Sequence, residues 1–203
     1  MRIPSKKECY RLMCEMEMLD HIVQHSLQVG RVASFLVDRL TLLDVRLHRE
    51  LIQAAALLHD ITKTRSFQTG ENHAVTGAEF LTDLGYPEVA DLVRQHVRLD
   101  IYFAEESPDE AEVVNYADKR VLHDKVVTLD QRMGYILAKY GKAPDHQERL
   151  RWLWEKSELM EDRIFSDLPF LPEEINRFMN PEDGAKEFDR YQKVCARLSV
   201  STK

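Results

Sequence analysis

Basic residues are in the minority in this chain: 28 Lys and Arg stand against 35 Asp and Glu, leaving a formal net charge of -7. A surface that binds a nucleic-acid backbone is basic, so no stable nucleic-acid complex is expected. A small anionic substrate stays open, because bound metal cations reverse the local sign of the field. Long apolar runs are missing as well. None approaches the roughly 18 residues a membrane helix needs, and the start, MRIPSKKECYRLMCEMEM, has no signal-peptide core. The reading is a cytoplasmic protein without a membrane partner. The three cysteines, Cys9, Cys14 and Cys195, are odd in number and lack framework spacing, which points to a reducing compartment. Cys9 and Cys14 are not spaced as a zinc-ribbon pair. Glycine and proline are scarce at seven each, and strand-like alternation is nearly absent. That excludes a β-rich fold and leaves helical periodicity as the dominant signal.

The helices can be placed by their caps and apolar faces. Ser5 with Glu8 has the pattern of a capping box opening a helix to about Met18. HIVQHSLQVGRVASFLVDRL is the clearest amphipathic stretch, with His25, Val29, Val32, Leu36 and Leu40 on one face, and Gly30 interrupts it without breaking it. After a turn at Asp44, LHRELIQAAALLHDI aligns Ile52, Ala55, Ala56 and His59, and its small alanines permit close helix approach. TKTRSFQTGEN reads as loop. HAVTGAEFLTDLG reads as a helix ending at Gly85, and PEVADLVRQHV as one starting at Pro87. Residues 98–109 read as an irregular loop near the site, followed by a helix over EAEVVNYADKRV. Thr128 with Gln131 starts another, HQERLRWLWEKSELMEDRIF a long charged one, and Asn180-Pro181 a last one to about Val200.

The chain has eight histidines, and four of them, His25, His59, His73 and His96, are in phase with the apolar faces of four separate helices. One inward histidine is more often a hydrogen-bonded core residue than a ligand. Four of them, with Asp118 between Val114 and Val121 on another inward face and Asp60 beside His59, need partners, because unpaired buried polar groups are costly. Neutral imidazole and buried carboxylate are together suited to divalent metals.

The motifs resemble the HD-domain superfamily of metal-dependent phosphohydrolases. Its pattern is a histidine, then an adjacent His-Asp pair, then a distal aspartate; here HSLQVGRVA supplies His25, AALLHDI supplies His59 and Asp60, and NYADKRV supplies Asp118. His21 lies on the same face as His25, but the SLQVGRVA context favours His25. Members with two further histidines hold two metals, and His73 in NHAVTGAEFL and His96 in VRQHV match those positions. The resemblance covers roughly residues 20 to 125. It implies an all-α fold, an HD-domain helical bundle with additional C-terminal helices. Residues 1–140 would be the HD-type domain with its N-terminal helix, and 141–203 a C-terminal helical extension packed on the core. Two departures stand out. Thr62 follows HDI where the group often has glycine, and only TKTRSFQTGEN separates Ile61 from His73, a shorter gap than in enzymes cleaving symmetric dinucleoside tetraphosphates.

What the resemblance implies for chemistry is a site of one or two divalent ions, with Fe, Mn, Zn, Co, Ni and Mg not distinguished. The metal ligands would be His25, His59, Asp60, His73, His96 and Asp118, with Asp60 bridging. Asp60, His73, His96 and Lys63 would be catalytic, and Lys63, Arg65, Lys119 and Arg94 would bind a small phosphorylated substrate such as a nucleotide. Such ions activate water and clamp phosphoryl oxygens. Tyr102 and Phe103 are available to stack on a base. Trp152 and Trp154 cannot face the same way, and the C-terminal part leaves room for a homodimer. His48, His123 and His146 read as ordinary histidines. The alternatives are a dinucleoside polyphosphate hydrolase, a cyclic-nucleotide phosphodiesterase, a non-catalytic binding or signalling module, and a di-iron oxygenase.

Overall fold

The computed structural model describes residues 1–201. Helix α1 (Lys6–Glu15) opens as its sequence implies, the Ser5 side chain accepting from the Glu8 amide. Helix α2 (Asp20–Thr41) buries the whole His25, Val29, Val32, Leu36, Leu40 stripe, and the chain reverses at Asp44 with φ 64°. Helix α3 (Arg49–Leu58) is capped by the His48 ring.

The stretch expected to be loop forms a short helix, α4 (Lys63–Thr69), closed by Gly70 in the left-handed region at φ 70°. It buries no residue, so it carries no apolar stripe and periodicity is silent there. Helices α5 (His73–Asp83), α6 (Pro87–Gln95) and α7 (Glu110–Lys119) follow, the last with a capping box between Asp109 and Glu112. A small antiparallel hairpin, β1 (Val121–Leu122) and β2 (Lys125–Val126), comes next, and it had no signal in the sequence. Helix α8 (Leu129–Tyr140) has the Thr128–Gln131 capping box, and α9 (Pro144–Phe165) is the long charged helix. A 3-10 turn (Pro172–Glu174) and α10 (Ile175–Phe178) lead to α11 (Pro181–Ser201).

The core is built by α2, α3, α6 and α7, with α5 against α6. Gly30 faces Leu57 so closely that a Cβ there would lie 3.0 Å from Leu57 Cδ2. With Ala54, Ala55 and Ala56 buried on α3, small residues draw α2 and α3 together, and the His25 and His59 rings end 5.3 Å apart between centroids.

The C-terminal helices lie on this bundle. Helix α11 packs on α1 and α2. There Tyr10 Oη donates to Glu187 at 2.8 Å, and Cys14 is joined to Cys195. This corrects the cysteine reading: a pair 181 residues apart has no local spacing to betray it, and becomes a pair only when the last helix returns to the first. Cys9 is free, and burial pushes its thiol up to about 12. Arg120, almost fully buried, joins α7 to the rest by donating to Val127 O, Glu161 and Pro172 O. Buried charges persist only when satisfied in this way. Helices α8 and α9 share a smaller cluster of Leu129, Met133, Leu150 and Leu153, against which Trp154 packs. Trp152 instead meets Tyr102, ring centroids 5.4 Å apart.

Candidate metal centre

The His-Asp pair sits where α3 ends, so the turn through Thr62, rather than a continuing helix, aims both side chains at one place. His25 comes from α2, His73 from the first position of α5, His96 from the C-terminal cap of α6 and Asp118 from the last turn of α7. All six residues that the family resemblance proposes as ligands converge. His21, the alternative to His25, is exposed.

The tautomers follow from the hydrogen bonds. His25 Nδ1 lies 3.0 Å from the His123 carbonyl, His59 Nδ1 2.8 Å from Ala56 O, and His96 Nδ1 2.6 Å from Val93 O. A carbonyl only accepts, so each Nδ1 carries hydrogen, and in its neutral form each ring offers Nε2 as a lone pair. Those Nε2 atoms face carboxylates and each other. His25 Nε2 is 3.0 Å from Asp118 Oδ1, and His59 Nε2 is 3.8 Å from the same oxygen and 3.4 Å from Asp60 Oδ2. His73 Nε2 is 3.2 Å from Asp60 Oδ1 and 3.2 Å from His96 Nε2, while His96 Nε2 is 3.6 Å from Asp60 Oδ1. Two ligand groups result, His25-His59-Asp118 and His59-Asp60-His96, each with donor atoms within 4.8 Å of one another. Asp60 turns one oxygen to His59 and the other to His73 and His96, the disposition of a carboxylate placed between two ions.

Convergent lone pairs in a buried place repel unless a cation or proton lies among them. His59 Nε2 is buried without a hydrogen-bond partner, so the donor set fits a divalent metal. Burial dominates His96 and pushes its imidazolium down to about 4, so the ring is neutral at ordinary pH. Burial would raise Asp60, but His59 and Lys63 more than offset it and hold this carboxyl well below its usual range. Burial also opposes ionisation of Asp118, and His25 and Arg132 overcome it.

The supporting residues divide sharply. Lys63 Nζ donates to both Asp60 oxygens, at 3.1 and 2.9 Å. Lys119 is buried, its charge opposed by burial to about 8, and it donates to His96 O at 3.1 Å and Asn115 O at 3.2 Å. The structure thus corrects its reading as a substrate group: its donors go to the backbone that carries His96. Replacing Lys119 with Met is expected to weaken metal binding at the His96 side by about 10–100-fold, the usual effect of losing an outer support. Metal titration followed by calorimetry checks this; unchanged stoichiometry and affinity would refute it. Arg65 pairs with Glu71 at 2.7 Å, and Arg94 with Asp91 and Asp100. Both guanidiniums are therefore engaged outside the cluster. Tyr102 and Phe103 pack beneath Lys156 of α9 rather than over the ligands.

Three contributors had no usable signal. His123 supplies its carbonyl to His25 from the hairpin turn, at φ 58°, a conformation costly enough outside glycine to mark a constrained position. Thr62 stands at φ -103°, so the glycine common there is not required, and its hydroxyl donates to His73 O at 2.9 Å. Arg132, on α8, places Nη2 3.5 Å from Asp118 Oδ1. A cavity of about 590 Å³ lies apart from the ligands, between α2, the hairpin and α11, lined by Arg31, Lys125 and Phe188 among others.

A helical bundle that brings four histidines and two aspartates into two adjoining buried groups defines a candidate metal-binding centre. The chain belongs to the HD-domain superfamily: residues 22–121 match the HD domain. It is similar to a tRNA (cytidine(56)-2'-O)-methyltransferase of Picrophilus torridus, 27% identical over 162 residues, covering 73% of this chain and 44% of that protein. It is also similar to an uncharacterized protein of Methanocaldococcus jannaschii, 28% identical over 137 residues, covering 61% of this chain and 79% of that protein. The chain thus spans less than half of the methyltransferase. No solved structure matches it.

Proposed function

We propose that this protein is a metal-dependent phosphohydrolase acting on a small phosphate ester or nucleotide. The observation that carries the reading is the set of Nε2 lone pairs, each fixed by an Nδ1–carbonyl bond and aimed at two buried carboxylates. His25, His59 and Asp118 would hold one divalent ion and His73 and His96 a second, with Asp60 between them. Bound there, divalent ions supply Lewis-acid polarisation of phosphoryl oxygens and a lowered pKa for the attacking water.

The chain's own groups do the rest. His59 and Asp60 are closed off, with side chains 1% and 2% exposed, whereas His73 is 22% and Lys63 29% exposed. Substrate enters on the open side, past His73 and Lys63. Lys63, held by Asp60, is placed to meet a phosphate oxygen as Asp60 turns to metal. Methyl transfer to tRNA, the activity in the Picrophilus relative's name, has no observation behind it in this acidic chain.

The test is metal content per chain after purification without chelator. It is followed by phosphate release from nucleoside monophosphates, dinucleoside polyphosphates and a cyclic nucleotide, with and without air. One to two divalent ions and air-independent release are expected. Added ions that neither bind nor shift the thermal midpoint would overturn the reading in favour of a binding module. Product formed only in air would assign a di-iron oxygenase.

A further inference from the structure

Arg132 lies beyond the matched HD region yet reaches its centre. Its side chain is only 14% exposed, Nη2 stands 3.5 Å from Asp118 Oδ1, and Nε is buried with no partner. A committed arginine–carboxylate pair is shorter, about 2.7–2.9 Å, and is frequently bidentate. Asp118 therefore uses one edge of this guanidinium weakly, and its strongest contact goes to His25 Nε2 at 3.0 Å instead. Arg132 enters the centre with donor capacity that the protein leaves unspent. Across the ligands, Lys63 covers the other carboxylate, Asp60. The two cations are near enough for their charges to oppose one another.

Each cation rests on a carboxylate that also belongs to a metal ligand group. Two carboxylates facing two divalent ions would leave the centre positive, and imidazole ligands would bring no negative charge to offset that. Lys63 and Arg132 then stand at the rim as surplus positive charge. A terminal phosphate carries close to two negative charges at neutral pH, while an internal diester carries one. An arginine fork takes two oxygens of one phosphate; a terminal phosphate keeps a third non-bridging oxygen for Lys63, whereas a diester has only two in all.

We infer that Arg132 and Lys63 form a two-cation clamp for a terminal phosphate, making this a phosphomonoesterase centre rather than a phosphodiesterase one. This rests on the hydrolytic reading above and adds to it the substrate class and a residue from α8.

The experiment uses the full chain loaded with metal. Orthophosphate binding is measured by calorimetry, and turnover is measured on p-nitrophenyl phosphate and on bis(p-nitrophenyl) phosphate. In Arg132→Ala, orthophosphate affinity is expected to fall about 10–100-fold, the range for losing hydrogen bonds to a charged group. The monoester KM should rise, metal stoichiometry at saturating metal should hold, and turnover of the diester should fall by a smaller factor than that of the monoester. Arg132→Lys, which keeps the charge without the fork, should fall between. If Arg132→Ala loses metal while phosphate affinity per loaded site is unchanged, Arg132 only positions Asp118 and the clamp is wrong. Equal phosphate affinity in the wild type and the variant overturns it too. Phosphate binding that depends on Arg132 without any turnover would sink hydrolysis but keep the clamp; turnover indifferent to Arg132 would do the reverse.

Discussion

Asp60→Asn is expected to lower phosphate release by about a thousandfold or more and to remove at least one metal per chain. The side chain is fully enclosed, with one oxygen near His59 and the other near His73 and His96. Asparagine keeps the shape but removes the charge, and its amide places an N–H where a lone pair is required. Loss of several kcal/mol of metal-derived stabilisation corresponds to roughly three powers of ten in rate. The same change strips Lys63 of its carboxylate partner, so the apo protein should also melt earlier than wild type. Metal analysis, a phosphate-release assay and a thermal scan of one sample separate these effects. Wild-type metal content with wild-type turnover would remove Asp60 from the centre.

Cys14→Ser should produce the largest loss of stability available away from the metal centre. The Cys14–Cys195 link closes a loop of 181 residues, and the chain-entropy view assigns loops of this size about 5 kcal/mol. For a chain of this length that corresponds to a midpoint lower by roughly 10–20 °C. Reductant should reproduce the shift in the wild type and have no further effect in the variant. Metal content should hold at a temperature where the variant is folded, because neither α1 nor α11 supplies a ligand. A midpoint indifferent to both changes would show that helix packing alone, including the Tyr10–Glu187 bond, seats α11.

The helices were legible from periodicity wherever they bury a stripe, and from caps such as Thr128 with Gln131. Helix α4 was not, because it buries nothing. The ligands were legible for a related reason: a histidine in phase with valines and leucines is unusual enough to stand out. The substrate groups were harder to read. Lys63, Arg65, Arg94 and Lys119 all stand near a candidate ligand in the sequence. Of these, the structure puts Lys63 on Asp60, turns Lys119 to the His96 backbone and engages Arg65 and Arg94 with acids elsewhere. A long flexible side chain is placed by its partner, and neighbours along the chain do not name that partner.

The sequence by itself determined the helical class and singled out four inward histidines with Asp118, because both are written in local periodicity that each helix obeys independently, while the six-residue ligand set came from the resemblance to the HD-domain pattern. Only the tertiary structure decided how those ligands are armed and enclosed. The His123 carbonyl meets His25 from 98 residues away, Arg132 reaches Asp118 from the next helix, and Cys14 finds Cys195 across nearly the whole chain. Such contacts depend on the relative placement of whole elements, which follows from how the buried faces pack together and leaves no periodic trace in the residues that finally touch.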